Sequence, residues 1–117
     1  MRRKKFKIGV DVGENDVEPA DFLNCAILAE EIGFDSVWFG EHHYSGYLFG
    51  SPPVIAMAAA ARTKRIRLGT GVSLIPLNHP IPLAEEYAML DVLSNGRLEY
   101  GIGRGFLKYS HQVFGNQ

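Results

Sequence analysis

Short apolar runs alternate with helix-length stretches along this chain with no linker between them, and that alternation leaves few folds open. The strand-like runs are Phe6–Val12, Asp35–Gly40, Ile66–Ile75 and Arg97–Gly103. Pro19 introduces a first helix in which Phe22, Cys25, Ala29 and Ile32 recur at steps of three and four, so that stripe is expected inside while Glu30 and Glu31 look out. Gly33 stands where a C-cap belongs. Ser51-Pro52-Pro53 opens a second helix with a serine cap and early prolines; it runs alanine-rich to Ala61 and ends in the basic residues Arg62, Lys64 and Arg65, which suit the negative end of the helix dipole. A third helix is expected over Leu83–Leu93, burying Leu83, Tyr87, Leu90 and Leu93, with Ser94-Asn95-Gly96 as its stop. Turns or loops are expected at Gly13–Asp16, Tyr44–Gly50 and Pro76–Pro82. Short strands alternating with helices mean right-handed βαβ units on a parallel sheet. Gly69 and Gly71 inside the third strand point to a bulge or to a close approach of another group to the backbone.

Such a sheet has its helices on one face and leaves the first and fourth strands open, whereas parallel sheets are normally covered on both faces. The fold class expected is therefore α/β, a parallel (β/α) half-barrel. Complete (β/α)₈ barrels take about 250 residues, so the 117-residue chain is expected to be one domain, 1–117, that is either the N-terminal half of a longer barrel or a half-barrel completed by a second copy. With 46% hydrophobic residues it can fill a core. A net charge of −1 gives no field for nucleic acid, and Arg2-Arg3-Lys4-Lys5 reads as a solvated terminus. No apolar signal region follows that cluster, because Lys7 interrupts it, and no stretch reaches the ~18 apolar residues of a membrane span. The single Cys25 cannot form an internal disulfide and suits a core position in a reducing, cytoplasmic compartment.

Chemistry is expected at Glu41-His42-His43, just past the carboxyl end of the second strand, where α/β proteins place their ligands. Three readings stand open. The histidines could ligate a metal with help from His79 or His111, although adjacent histidines diverge from an extended backbone. They could be structural and hydrogen-bonded to neighbouring loops. Or a histidine beside a carboxylate could act as a general base near neutral pH. Gly69-Thr70-Gly71 and Gly101-Ile102-Gly103 imitate dinucleotide fingerprints, but the third glycine is replaced by Leu74 in one and Phe106 in the other, so neither completes the motif. Glycines late in two barrel strands fit a flat ligand lying on the backbone. Arg104 is then available to an anionic group, or else to a surface ion pair.

The order Gly33-Phe34-Asp35-Ser36-Val37-Trp38-Phe39-Gly40-Glu41-His42-His43, Leu68-Gly69-Thr70-Gly71-Val72, His79-Pro80, Asp91–Arg97 and Gly101–Gly105 resembles the front part of the bacterial luciferase-like flavin monooxygenases, over about Phe6 to Gly115. The resemblance implies a (β/α)₈ barrel that uses reduced FMN and O₂ to oxidise a small organic substrate such as an aldehyde; some members use the deazaflavin F420 instead. It implies His42 as catalytic histidine with Glu41 beside it, and a non-prolyl cis peptide at Gly71-Val72 supporting the flavin ring. It further implies a flavin-phosphate contact at Arg104 and backbone contacts to the ring at Phe106 and Leu107. Gly103 stands where the luciferases proper carry a reactive cysteine, a departure that weakens light emission as a function but not flavin binding. Much of the family's phosphate cradle lies beyond the fourth strand, so weak flavin binding by this chain alone is expected. A separate reductase would supply reduced flavin, since no nicotinamide motif is present, and homo-oligomerisation would cover the open strands. A truncated, non-catalytic flavin-binding or assembly module is the competing expectation.

Overall fold

A computed structural model describes residues 6–12, 19–44 and 50–115. The expected turn at Gly13–Asp16, most of the Tyr44–Gly50 loop and the basic Arg2–Lys5 cluster lie outside those residues. In chain order the elements are β1 (Gly9–Asp11), α1 (Pro19–Ile32), β2 (Ser36–Phe39), α2 (Pro52–Arg62), β3 (Arg67–Thr70), β4 (Ser73–Leu74), a 3₁₀ turn (Ile75–Leu77), α3 (Pro80–Leu93), β5 (Leu98–Glu99), β6 (Ile102–Gly103) and α4 (Lys108–Val113). Strands β1, β2, β3 and β5 form one parallel sheet in that order, and β4 and β6 form a second parallel pair. The architecture is the parallel (β/α) half-barrel expected from the alternation.

Strand register decides which side chains meet the helices. Val10, Val37, Leu68 and Leu98 lie in one paired row, and with Phe39 they pack against Phe22, Ala26 and Ala29 of α1, Ala56, Ala59 and Ala60 of α2, and Leu83, Tyr87 and Leu90 of α3. The alanines let α2 lie close to the sheet. The opposite face carries Trp38, in register with Gly69. A β-carbon at Gly69 would collide with the Trp38 indole, and one at Gly9 would stand 2.6 Å from its Nε1. These glycines are therefore the space into which the indole fits, with its N–H donated to Ser36 Oγ at 2.8 Å. The close approach expected at Gly69 is made by the chain's own tryptophan.

Several expectations change. The third and fourth strands are each broken, into β3 and β4 around Gly71-Val72 and into β5 and β6 around Tyr100-Gly101. Helix α3 begins at Pro80, not Leu83, because Pro80 and Pro82 both fall in the first turn, where no N–H partner is required. Leu93 is exposed on its last turn. The buried stripe of α1 is Phe22, Ala26 and Ala29, while Cys25 and Ile32 are exposed. Those two residues face the far side of β1, where with Leu28, Val10 and Phe34 they line an open groove that no further strand-and-helix unit covers among the described residues. Ser51 occupies the N-cap of α2 but its side chain makes no capping bond. Gly33 does terminate α1 with φ +94°, a conformation glycine adopts without steric cost.

Glu30 does not look out. Its carboxylate accepts the backbone N–H groups of Lys64 (3.0 Å), Arg65 (2.5 Å) and Ile66 (2.8 Å), fastening α1 to the turn that leads into β3. Burial pushes this carboxyl up, but the N–H groups of Ile66, Arg65 and Lys64 and the charge of Arg65 outweigh it and hold it below the usual value. Arg97 closes the neighbouring corner. It donates to the carbonyls of Ala60 (2.8 Å), Ser94 (2.8 Å) and Ile66 (3.1 Å) and to Thr63 Oγ1 (2.8 Å), joining the ends of α2 and α3 to the start of β3.

Candidate active site

The segments that follow β2, β3 and β6 converge at the carboxyl end of the sheet. Glu41, His42 and His43 leave β2, Gly71 and Val72 interrupt the third strand, and Gly105, Phe106 and Leu107 lead from β6 into α4. Together they wall one cavity of ≈ 230 Å³, closed by Leu74, Leu77, Ser110 and His111. That is below the ~300–1,000 Å³ of pockets that enclose a whole drug-sized ligand, so the cavity suits one end or one face of a larger molecule. The sheet's geometry accounts for the convergence, since every contributing loop follows the carboxyl end of a parallel strand.

Glu41 is 5% exposed, and both of its oxygens are engaged. Oε1 is paired with His43 Nε2 at 2.8 Å and accepts from Asn78 Nδ2 at 3.1 Å; Oε2 accepts the Leu74 N–H at 2.7 Å and the Ser73 hydroxyl at 3.4 Å. A buried carboxylate needs such donors, because burying it unpaired would be costly. Glu41 thereby ties the end of β2 to the strand that restarts after the bulge. The His43 ring also packs against Phe114 with centroids 4.7 Å apart, and its carbonyl accepts from Tyr109 Oη at 3.1 Å, so α4 is held onto the same segment. His42, one residue earlier, lies in the cavity wall.

The Gly71-Val72 peptide bond is cis, a form seen in well under 0.1% of non-prolyl bonds. The bulge is braced on both sides. Gly71 N–H donates to Phe39 O at 2.8 Å, Ser73 N–H donates to Gly101 O at 2.8 Å, and the buried Thr70 hydroxyl both donates to Gly101 O at 2.8 Å and accepts its N–H at 3.0 Å. Behind the bulge, burial pushes the Tyr87 phenol up to about 12, and its buried oxygen has no hydrogen-bond partner among the described residues.

Of the residues singled out in the sequence, Glu41, His42, Gly71, Val72, Phe106 and Leu107 share this cavity. Gly103 lies against Val72: a β-carbon there would stand 2.5 Å from Val72 Cγ2. Arg104 lines the adjoining cleft, which shares Gly105, Phe106 and His111 with the cavity. His79 is elsewhere, capping α3 by accepting the Ile81 N–H at 3.4 Å. No group of three or more histidine, cysteine, aspartate or glutamate side chains placed to hold a metal occurs among the described residues. Sequence reasoning passed over Leu74, Leu77 and Ser110, which carry no chemical signal, and weighed His111 only as a metal ligand.

A family model for luciferase-like monooxygenases matches residues 5–117. The chain belongs to the luciferase-like monooxygenase family. Among luciferase-like relatives, it is 42% identical to the oxygenase component of the flavin-dependent trigonelline monooxygenase of Acinetobacter baylyi, over 79% of this chain and 26% of that protein. It is 40% identical to the alkanal monooxygenase alpha chain of Photorhabdus luminescens, over 75% of this chain and 25% of that one. The fold is shared with a solved monooxygenase from Streptomyces bottropensis, which superposes with a TM-score of 0.86 at 38% identity, covering 96% of this chain and 37% of its own. The chain spans about a quarter of the length of the curated luciferase-like relatives it matches. No helix among the described residues is long and apolar enough to cross a membrane.

Proposed function

We propose that this chain is the N-terminal, flavin-binding portion of an FMN-dependent luciferase-like monooxygenase, acting with O₂ on a small organic substrate such as an aldehyde and receiving reduced flavin from a separate reductase. The observation that carries the reading is the cavity at the carboxyl end of the sheet, where His42 shares a wall with the Gly71-Val72 bulge and with Phe106 and Leu107. The residues present fit the cofactor. Gly71 and Val72 are exposed towards the cavity and offer backbone to one face of a planar ring, Leu74, Leu77 and Leu107 supply apolar walls, and Phe106, 84% exposed, stands at the mouth. Bound reduced FMN would supply the electrons that activate oxygen.

The chain's own residues position and exclude. The bulge fixes the depth at which a ring rests, and Thr70 and Glu41 hold the bulge from either side. His42 holds or moves a proton at an imidazole nitrogen, the role suited to a histidine in a cavity wall. Glu41 is a positioning residue in this scheme, because its oxygens are engaged by the bulge and by His43. The apolar walls keep water from the ring, which strengthens every polar contact made there. The deazaflavin F420 is the alternative cofactor, since nothing in the cavity distinguishes the two rings.

A second reading is a non-catalytic flavin-binding or assembly module completed by self-association. It is favoured by the open β1 edge, where Leu28 and Ile32 are 53% and 64% exposed. An anaerobic titration with reduced FMN tests the shared premise: saturable binding in the micromolar range is expected, and no binding removes flavin from both readings. In an active assembly, His42→Ala should lower oxygenation by about 10²-fold or more, on the scale of a general base. Unchanged turnover would remove His42 from the mechanism.

A further inference from the structure

Packing alone does not account for a tyrosine at position 87. The residue, 3% exposed on α3, stacks its ring on Tyr100 with centroids 4.2 Å apart, and a phenylalanine would fill the same space. Its hydroxyl is the one buried side-chain polar atom without a hydrogen-bond partner among the described residues, and burying such a group unpaired destabilises a fold. Besides the surrounding burial, the groups that act on it are Ser73, Tyr100, Glu41 and Thr70. Two of these, Thr70 and Ser73, bracket the Gly71-Val72 bulge, one on either side. Thr70 both donates to Gly101 and accepts from it, at 2.8 and 3.0 Å. Ser73 is held more loosely: its hydroxyl donates to Glu41 Oε2 at 3.4 Å, the longest of the four contacts described for that carboxylate.

Resting on the flavin reading above, we infer that Tyr87 is a positioning residue for the ring site: its O–H donates to Ser73 Oγ when a planar ligand seats against the bulge, closing a chain of bonds from α3 through Ser73 to Glu41. Glu41 also accepts the Leu74 N–H and holds His43, so the chain reaches from the back of the bulge to the cavity wall. Ser73 suits the middle place, because a hydroxyl accepts from one neighbour while it donates to the next, and bonds linked in this way strengthen one another. In the free chain the unpaired phenol hydroxyl lowers stability, and in the occupied chain it adds a bond. Its removal therefore acts in opposite directions on folding and on binding, whereas a hydroxyl that served the core alone would move both the same way.

The test compares Tyr87→Phe, Ser73→Ala and the double variant with the wild-type chain, by thermal unfolding without ligand and by anaerobic titration with reduced FMN. Tyr87→Phe should unfold at a temperature no lower than the wild-type chain and bind reduced FMN about fivefold more weakly, the scale of one neutral hydrogen bond. Ser73→Ala should also weaken FMN, and the double variant should bind no more weakly than Ser73→Ala alone, because the phenol acts through Ser73. Unchanged FMN affinity in Tyr87→Phe, a lower unfolding temperature in that variant, or losses that add in the double variant would each overturn the inference while leaving the flavin reading in place. Failure of the wild-type chain to bind reduced FMN would instead remove the flavin reading, and this inference with it.

Discussion

Gly103 faces Val72 at the point where the cavity meets β6, and it has no room for a side chain while the valine stays in place. A β-carbon at Gly103 would press on Val72 Cγ2 and stand 3.3 Å from its Cβ, and valine has little freedom to swing away. Gly103→Ala should therefore lower the unfolding free energy by about 1–3 kcal/mol through overpacking, and adding Val72→Ala should recover most of it, measured by urea unfolding of the single and double variants. A loss that the second substitution fails to recover would mean that backbone, not the valine, sets the limit. The position of Glu41-His42-His43 was readable because strand ends are where chemistry is placed. Which histidine the carboxylate holds was also within reach: in an extended segment residues i and i+2 share a side, and Glu41 does hold His43. The donors that Ser73, Leu74 and Asn78 send to Glu41 were not readable, since they arrive from thirty residues further on.

At the level of elements, the joints carry as much information as the helices. Glu30 fixes α1 to the approach of β3 through backbone N–H groups, and its carboxyl is held below the ordinary value of 4.5. A carboxyl depressed in the folded state contributes its full stabilisation above the unfolded value and loses it as pH falls through the folded one. The stability difference between the wild-type chain and Glu30→Gln should thus be constant above about pH 4.5 and shrink in more acid solution, read from denaturant midpoints at a series of pH values. A difference independent of pH would assign the contribution to packing. Helix stops such as Gly33 and Ser94-Asn95-Gly96 follow from local backbone preference and were legible. The breaks within the third and fourth strands were only half legible: two glycines marked one of them, but the bracing of Thr70 against Gly101 joins segments far apart in sequence.

Across the whole molecule, the sheet has a covered face and an exposed edge. Alternation sufficed to foresee the parallel sheet, because strands separated by helices are joined by right-handed crossovers into parallel neighbours. It did not suffice to place Cys25, since periodicity defines a stripe on α1 but not which neighbours the stripe meets. Cys25 is exposed in the groove beside β1, which makes it a gauge of whether that edge is covered. In dilute solution its thiol should react with a maleimide at the rate of an accessible cysteine, and at concentrations where copies associate through this edge the rate should fall. Reaction at one rate while scattering reports a dimer would place the self-association surface elsewhere.

The indole seated on Gly69 has a spectroscopic corollary. Trp38 is the sole tryptophan of the chain, and its ring carbon Cε3 lies 3.6 Å from the β-carbon position of Gly71, directly behind the cis bulge. Its ultraviolet emission is therefore an intrinsic beacon at the wall of the pocket, free of background from any other indole. A chromophore settling against the bulge would draw energy from that emission, so occupancy of the site can be followed without a label and in the same sample whose chemistry is being measured.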